Sequence, residues 1–294
     1  MTSKEKVDLH IHTTASSDGQ HTPKEIFQMA KAIDLKAITF SDHNSVSNLD
    51  EGMELSLIFD IEFIPCFELN TLFEEMDLHI LGYYIDYKNS AFLRWLDEIQ
   101  EAKHEQAEKR LSILKSLDFT INKQDLDTAA KGMVPSGATF LQALLSREEG
   151  RNDPKLKPYI DGARSESPAL NFYKDYFKKD KPAFLPLDVC SIEMGISKIK
   201  QFGGVPVQAH PSDTGDENIV KLIDLGLMGL EAFSSYHTPE ECEHFHHLAS
   251  DNNILYTAGS DFHGKKIKPN VELGAVSGND YEIVERLKDA RNRL

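Results

Sequence analysis

The sequence contains little cysteine. Only three of its 294 residues are cysteines, namely Cys66, Cys190 and Cys242, and no two of them form a CxxC pair. An odd, widely spaced set of this kind excludes a disulfide scaffold and a structural zinc site built on thiolates. The segment after Met1 also lacks the apolar region of a signal peptide. We therefore expect a cytoplasmic protein.

Long apolar runs and a surplus of basic residues are also missing. No run approaches the roughly 20 apolar residues that a membrane-spanning helix needs. The chain has 32 Lys and Arg against 48 Asp and Glu, which gives a formal net charge of −16. Binding to duplex nucleic acid needs clustered cations, so neither a duplex nor a membrane is an expected partner. A small phosphorylated substrate is compatible with this charge, because bound metal ions dominate the local field.

What the sequence does contain is paired polar residues within apolar stretches. One stretch reads Asp8-Leu9-His10-Ile11-His12, and the other, near the far end of the chain, reads Gly259-Ser260-Asp261-Phe262-His263. Alternate side chains of a strand share a face, so each pair projects to one side. Two such pairs predict one metal site assembled from the ends of different strands.

Further residues of the same kind follow or interrupt other apolar runs. Together they give six histidines and three carboxylates as candidate metal ligands, namely His10, His12, Asp18, His43, Glu68, His79, His210, Asp261 and His263. Most of them stand at or just after the C-terminal end of a predicted strand. In α/β barrels this is the end at which catalytic side chains gather. Imidazole and carboxylate ligands suit Zn, Mn or Fe.

The order of predicted elements indicates two parts. Apolar runs that end at His12, His43, Glu68 and His79 alternate with amphipathic segments, which predicts a largely parallel sheet or barrel. The alternation stops after residue 87 and resumes near residue 186. We therefore predict a discontinuous barrel from residues 1–87 and 186–294. Residues 88–185 are expected to form a mainly helical lobe that covers the metal pocket.

The set of motifs resembles a known family. Asp-Leu-His-x-His-Thr, Ser-Asp-Gly, Ser-Asp-His, His-Ile-Leu-Gly, Ala-His-Pro and Gly-Ser-Asp-x-His, together with a strand-end Glu, are similar to those of the PHP (polymerase and histidinol phosphatase) family. The resemblance implies a distorted, TIM-like (β/α)7 barrel with a trinuclear metal centre. It implies one metal on His10, His12 and Asp261, and a second on His79 and His210, with Glu68 bridging the two. A third metal would bind Asp18, His43 and His263.

The resemblance also implies an activity. The motifs are most similar to those of the stand-alone phosphoesterases, which include 3′,5′-nucleoside bisphosphate phosphatases and a 5′-to-3′ exoribonuclease. We therefore expect up to three divalent ions and hydrolysis of a small phosphorylated substrate, namely a nucleotide or a short oligonucleotide end. A water that bridges the ions would attack phosphorus, so no Ser or Cys nucleophile is required. Asp8 and Asp42 are expected to orient ligand histidines.

Candidate substrate contacts lie outside the metal ligands. Related nucleotide hydrolases carry an Arg-Pro-His-like segment, whereas the corresponding stretch here, 135–140, has neither Arg nor His. The remaining candidates for phosphate contact are Arg164, Lys181 and His237. His237 is also the candidate acid for the leaving group, since an ordinary His titrates near pH 6.5. Asp261 is the candidate catalytic ligand.

Three other functions remain open. A histidinol-phosphate phosphatase would share the chemistry and differ only in substrate. An amidohydrolase-type enzyme that cleaves C–N bonds would also use a His-x-His pair on its first strand. A non-catalytic, metal-bound regulatory domain is the third alternative. Such a domain would be expected to lose metal ligands, whereas this sequence has the complete set. The sequence leaves the metal and the oligomeric state undetermined.

Overall fold

The structure, a computed structural model, describes residues 5–186 and 189–294. Strands alternate with helices in both halves of the chain. The strands are β1 (Lys6–Asp8), β2 (Leu35–Phe40), β3 (Glu62–Pro65), β4 (Glu68–Phe73), β5 (Met76–Tyr83), β6 (Val205–Gln208), β7 (Gly229–Ser234) and β8 (Leu255–Gly259). The helices are α1 (Pro23–Ala32), α2 (Leu49–Phe59), α3 (Ser90–Ser116), α4 (Lys123–Ala130), α5 (Gly137–Ser146), α6 (Glu148–Asn152), α7 (Lys157–Ile160), α8 (Pro168–Tyr176), α9 (Ile192–Gln201), α10 (Asp216–Asp224), α11 (Pro239–Asp251) and α12 (Glu282–Arg291).

The strands form a distorted barrel. One sheet has the order β1-β2-β3 and the other β4-β5-β6-β7-β8. The sheets join at one side, where the Leu9 amide donates to Ala258 O at 3.1 Å. They join at the other side where the Gly82 amide donates to Phe67 O at 3.0 Å, just after β3. The predicted α/β barrel fold is confirmed.

The barrel differs from the prediction at β4 and β5. Glu68 begins a strand instead of ending one, and His79 lies in the middle of β5. The two strands form an antiparallel hairpin, and β5 is also antiparallel to β6. The expectation of a largely parallel sheet therefore fails here. The hairpin brings Glu68 and His79 to the same end of the barrel as the loops that follow β1, β2 and β8.

The segment between β5 and α9 contributes six helices in its described residues. The first half of the long helix α3 packs Phe92, Trp95 and Ile99 into the barrel core. Its second half packs Leu111 and Leu114 into a separate apolar cluster with α4, α5 and α8. Because α3 belongs to both cores, residue 88 does not separate them. The division into a barrel and a covering lobe remains a prediction.

Local sequence explains several helix starts. Thr22 precedes α1 and Thr238 precedes α11, and each threonine forms a reciprocal capping box with a glutamate three residues later. A proline follows each cap, where its fixed φ suits the first turn and its missing N–H costs nothing. Among the described residues, no helix combines the length and the apolar character needed to cross a membrane.

Candidate metal centre

Two strands at the seam of the barrel position the first ligands. Past β1 the chain stays extended, and the His12 amide donates to Phe262 O at 2.9 Å. Asp8 accepts from the Ser260 amide at 2.9 Å and from the Gly274 amide at 2.7 Å. Burial raises the pKa of Asp8 to about 6. Asp8 therefore fastens β1 to the segment after β8. It also accepts from the His10 amide at 3.3 Å, so it acts on the backbone of that histidine, and its expected role in orienting the imidazole stays a prediction.

Asp42, which follows β2, has a comparable role, because it holds the loop after His12. Its carboxylate accepts from the Thr13 amide and from the Thr13 hydroxyl, both at 2.7 Å. It is buried. These two bonds fix the backbone between His12 and Asp18, so Asp42 acts on the loop and does not bond to a ligand ring.

Glu231 on β7 holds two candidate ligands. The His10 Nδ1–H donates to Glu231 Oε1 at 2.9 Å, and the His210 amide donates to Glu231 Oε2 at 2.9 Å. Because Nδ1 carries the proton, the lone pair of His10 Nε2 is directed toward His12 Nε2, only 3.2 Å away. A carboxylate that fixes the tautomer in this way commonly supports a metal-binding histidine.

Glu68 lies at the centre of the cluster and is 1% exposed. Its Oε1 is 2.9 Å from His79 Nδ1 and 3.2 Å from His210 Nε2. Its Oε2 is 2.9 Å from His43 Nδ1 and 3.2 Å from His12 Nε2. Although burial raises the pKa of Glu68, the surrounding imidazoles hold it well below its usual range.

Asp261 and His263 complete the inner part of the cluster. Asp261 Oδ1 is 3.2 Å from His12 Nε2 and 3.3 Å from His10 Nε2. His263 Nδ1–H donates to the Asp261 carbonyl at 3.0 Å, which leaves its Nε2 free to bind a metal. Asp261 has a φ of 54° and His210 a φ of 28°. Left-handed backbone at non-glycine residues costs on the order of 1–3 kcal/mol and is concentrated at functional sites.

Asp18 lies in the loop after His12 and is buried. Its oxygens are 3.8 Å from His263 Nε2 and 3.9 Å from His43 Nε2. These separations are too long for hydrogen bonds but suit two ligands on one ion, since each metal bond is about 2.0–2.2 Å. Asp18, His43 and His263 are thus grouped as the resemblance implies, with His12 beside them.

The donor atoms of the cluster fit metal ions. Three groups of side chains place their donors close enough to share an ion, namely His12, Asp18, His43 and His263; His10, His12 and Glu68; and His43, Glu68 and His79. Asp18 Oδ1, Glu68 Oε2 and Asp261 Oδ1 are buried and accept no hydrogen bond of good geometry, although imidazole nitrogens lie close to the last two. Buried carboxylate oxygens need a positive partner, which a divalent ion provides. These groups contain seven of the nine candidate ligands, and His210 and Asp261 join the same cluster through their contacts with Glu68 and His12.

The cluster opens into a cavity of about 1040 Å³. Its walls come from the barrel loops and from α3, α5 and α8. The segment 135–140 contributes Ser136, which caps α5 and also lies on this wall. The size exceeds that of a single phosphate and falls at the upper end of the usual range for small-molecule sites.

The three predicted substrate contacts do not line this cavity. Lys181 is exposed, and Arg164 is engaged with Asp175 at 2.8 Å. His237 Nδ1–H donates to Ala232 O at 2.9 Å, and its ring lies 4.8 Å from that of Phe245. Burial lowers the pKa of His237. The assignment of these three residues as phosphate contacts therefore stays a prediction.

Other polar residues line the cavity that sequence reasoning missed. Lys103 and Arg110 reach it from α3, and Lys268 reaches it from the loop after His263. Lys268 contacts Asp261 Oδ2 and lies 4.6 Å from the ring centre of Tyr236. The available signal was the seven-residue spacing of Lys103 and Arg110, which puts both on one face of a helix. Lys268 had no comparable signal.

A barrel that gathers imidazole and carboxylate donors at one end defines a metal-dependent hydrolase. A family model described as "PHP domain" matches residues 8–180, which is more than half of the chain. The chain therefore belongs to the PHP family, and it is a metal-dependent phosphoesterase. The matched range ends before His210, Asp261 and His263.

Individual proteins resemble the chain over nearly its whole length. A "5'-3' exoribonuclease Rnm" of Salmonella typhimurium is 26% identical over 91% of this chain and 87% of its own. A "3',5'-nucleoside bisphosphate phosphatase" of Chromobacterium violaceum is 25% identical over 87% of each chain. A crystal structure of a Bifidobacterium adolescentis protein, named provisionally as a metal-dependent phosphoesterase, superposes with a TM-score of 0.78. It is 24% identical and covers 98% of this chain and 96% of its own. This structural similarity supports the fold.

Proposed function

We propose that this enzyme hydrolyses a phosphoester of a nucleotide or of a short oligonucleotide end, using up to three divalent ions held by the nine-residue cluster. The observation that carries the proposal is the convergence of six imidazoles and three carboxylates in one cluster, of which seven side chains line a cavity of about 1040 Å³. Ligands without thiolates favour Mn, Zn or Fe. A cytoplasmic setting fits the three free, buried cysteines.

The ligands divide into three sets around Glu68. His10, His12 and Asp261 form the innermost set. His79 and His210 form the second set and lie against Oε1 of Glu68. Asp18, His43 and His263 form the third set. Bound divalent ions would supply a water of lowered pKa and positive charge against the phosphate oxygens.

The surrounding residues fix these ligands before a substrate arrives. Glu231 holds His10 in one tautomer and also holds the backbone of His210. Lys268 contacts Asp261 Oδ2, which leaves Oδ1 directed at the histidines. Preorganisation of this kind lowers the cost of placing a phosphate, because the charges need not reorganise during the reaction.

The nucleotide part of the proposal is supported by the two curated relatives, whose names specify RNA and nucleoside bisphosphates. The cavity has room for a nucleoside in addition to a phosphate. Among the described residues no contact favours histidinol phosphate or a C–N bond as the target, and histidinol phosphate enters only as an arm of the test.

The experiment is phosphate release by purified protein loaded with Mn²⁺, Zn²⁺ or Fe²⁺. The panel contains adenosine 3′,5′-bisphosphate, AMP, a 5′-phosphorylated RNA trinucleotide and histidinol phosphate. We expect turnover of the nucleotide substrates, with a loss of more than about a hundredfold in kcat for Asp261→Asn, which loses the ligand charge. The control is Asp289→Asn, since Asp289 is exposed on α12. Full activity of Asp261→Asn with metal bound would contradict the assigned role.

A further inference from the structure

One lysine outside the nine-residue cluster lies directly against it. The chain turns back after His263, where the Lys268 amide donates to Gly264 O at 3.0 Å. Three lysines follow this glycine, and two of them, Lys265 and Lys266, are exposed. Lys268 instead lines the cavity beside the metal cluster, and its side chain is 17% exposed. The turn therefore directs one ammonium group at the cluster.

The Lys268 ammonium binds Asp261 at two points. It donates to the Asp261 carbonyl at 3.2 Å and also to Asp261 Oδ2. Its Nζ lies 4.6 Å from the ring centre of Tyr236, which adds a cation–π contact. The Tyr236 ring in turn lies 5.2 Å from the ring of the candidate ligand His210. The Asp261 carboxylate is therefore held by a cation that is itself fixed in place.

The two carboxylate oxygens of Asp261 consequently differ. Oδ1 is buried, lies 3.2 Å from His12 Nε2 and 3.3 Å from His10 Nε2, and accepts no hydrogen bond of good geometry. Oδ2 already has a cationic partner in Lys268. A metal ion is expected on Oδ1, because a buried carboxylate oxygen without a partner needs a positive charge. A metal ion on Oδ2 would have to displace the ammonium.

The ammonium also acts on a metal ion bound to the other oxygen. Lysine carries a compact positive charge, and a carboxylate holds its two cationic partners only a few ångströms apart. Two cations at that separation repel each other, and the repulsion is strong where burial keeps water away. Asp261 is buried. Lys268 therefore opposes metal binding at Oδ1 while it keeps that oxygen directed at His10 and His12.

We infer that Lys268 is a positioning residue that takes the place of a metal ion on Asp261 Oδ2. It restricts Asp261 to a metal bond through Oδ1, and it limits the positive charge that the cluster accepts. This inference rests on the metal cluster of the proposed function and deepens it. An uncharged side chain at position 268 should hold Asp261 less firmly and let the cluster bind metal more tightly.

Metal affinity tests this effect without relying on catalysis. Competition of Mn²⁺ or Zn²⁺ with a chromophoric chelator measures Kd for protein that has been stripped of metal. We expect Lys268→Met to lower the metal Kd about tenfold or more, since it removes the repulsion and frees Oδ2. Lys268→Gln keeps a hydrogen-bond donor but not the charge and should do the same, whereas Lys268→Arg keeps the charge and should stay near wild type. Lys266→Met is the matched control, because Lys266 is exposed in the same turn.

Crystals of metal-loaded protein test the position of the ammonium. In wild type we expect Asp261 to bind metal through Oδ1 alone, with Lys268 on Oδ2. In Lys268→Met, Oδ2 should approach a metal ion to about 2.0–2.3 Å. Wild-type crystals in which both oxygens bind metal, or equal or weaker metal affinity in both uncharged variants, would overturn the role of Lys268. Wild type that binds metal at the cluster but hydrolyses no phosphoester would instead overturn the proposed function.

Discussion

Glu231 shows how one buried carboxylate positions two metal ligands. It is fully buried, and its two oxygens accept from the His10 ring and from the His210 backbone. We expect Glu231→Gln to keep the shape but to replace one acceptor by a donor, so that one of these two bonds is lost. Loss of such a support typically weakens metal binding about tenfold to a hundredfold.

Competition with a chromophoric chelator measures the metal affinity of this variant. Glu285→Gln is the matched control, because Glu285 is exposed on α12. The same metal affinity in Glu231→Gln as in wild type would show that Glu231 does not position the ligands.

Lys103 is expected to make substrate binding depend on pH. Burial and the charge of Arg110 lower its pKa to about 8, and it also feels Asp77 from β5, Asp18 from the loop after β1 and Cys190. Below pH 8 it is a cation, and above pH 8 it loses its proton. Phosphate monoesters are already dianions there, because their second pKa is near 6. We therefore expect KM for adenosine 3′,5′-bisphosphate to rise as pH increases through about 8.

The matched variant for this prediction is Lys103→Arg. An arginine stays charged throughout this range, so its KM should stay flat up to at least pH 9.5. A rise of equal size in Lys103→Arg and in wild type would assign the titration to another group.

At the scale of elements, close packing between β8 and the segment after β1 limits what the site tolerates. A Cβ placed on Gly259 would lie 2.3 Å from His10 Cβ and 2.7 Å from Glu231 Oε1. We expect Gly259→Ala to displace His10, to weaken metal binding and to cost about 1–3 kcal/mol of unfolding free energy.

Metal titration and denaturant unfolding measure both effects. Gly203→Ala is the control, since Gly203 has open space around it and a φ of +74°. It should lose stability through backbone strain yet keep its metal affinity. Unchanged metal binding in Gly259→Ala would mean that His10 can move without consequence.

Elements whose signals are local could be predicted from the sequence. The starts of α1 and α11 are of this kind, because a capping box and a proline mark each of them and a cap depends only on neighbouring residues. The hairpin between β4 and β5 was not predicted. Its turn residues, Glu74 and Glu75, have φ values of 47° and 67°, which usually call for Asn or Gly. Glutamates carry no such signal.

The candidate site shows the same contrast. Its nine ligands could be listed because histidines and carboxylates recur after apolar runs, and a shared chemistry links them. Glu231, Lys103 and Arg110 were missed, since their importance depends on burial and on a cavity formed by distant segments. Arg164, Lys181 and His237 were chosen by position in the chain, which says little about which way a loop residue faces.

At the scale of the whole molecule, metal binding should be linked to stability. The cluster joins β1, β4, β5 and β8 to the loops between them, so ions that bind only the folded chain stabilise all of it. Free metal at about a hundred times its Kd contributes about 2.7 kcal/mol. We expect calorimetry to show a Tm several degrees lower after chelation, and a smaller difference for Asp261→Asn. Equal Tm values with and without chelator would contradict this linkage.

The central claim is that nine side chains from distant parts of the chain hold one cluster of metal ions. Anomalous diffraction from crystals grown with Mn²⁺ or Zn²⁺ tests it most directly. We predict two or three anomalous peaks, each about 2.0–2.3 Å from donors of the cluster, with Glu68 bridging two of them. Peaks confined to other surfaces, or no peak among His10, Glu68 and Asp261 in metal-saturated crystals, would contradict the account.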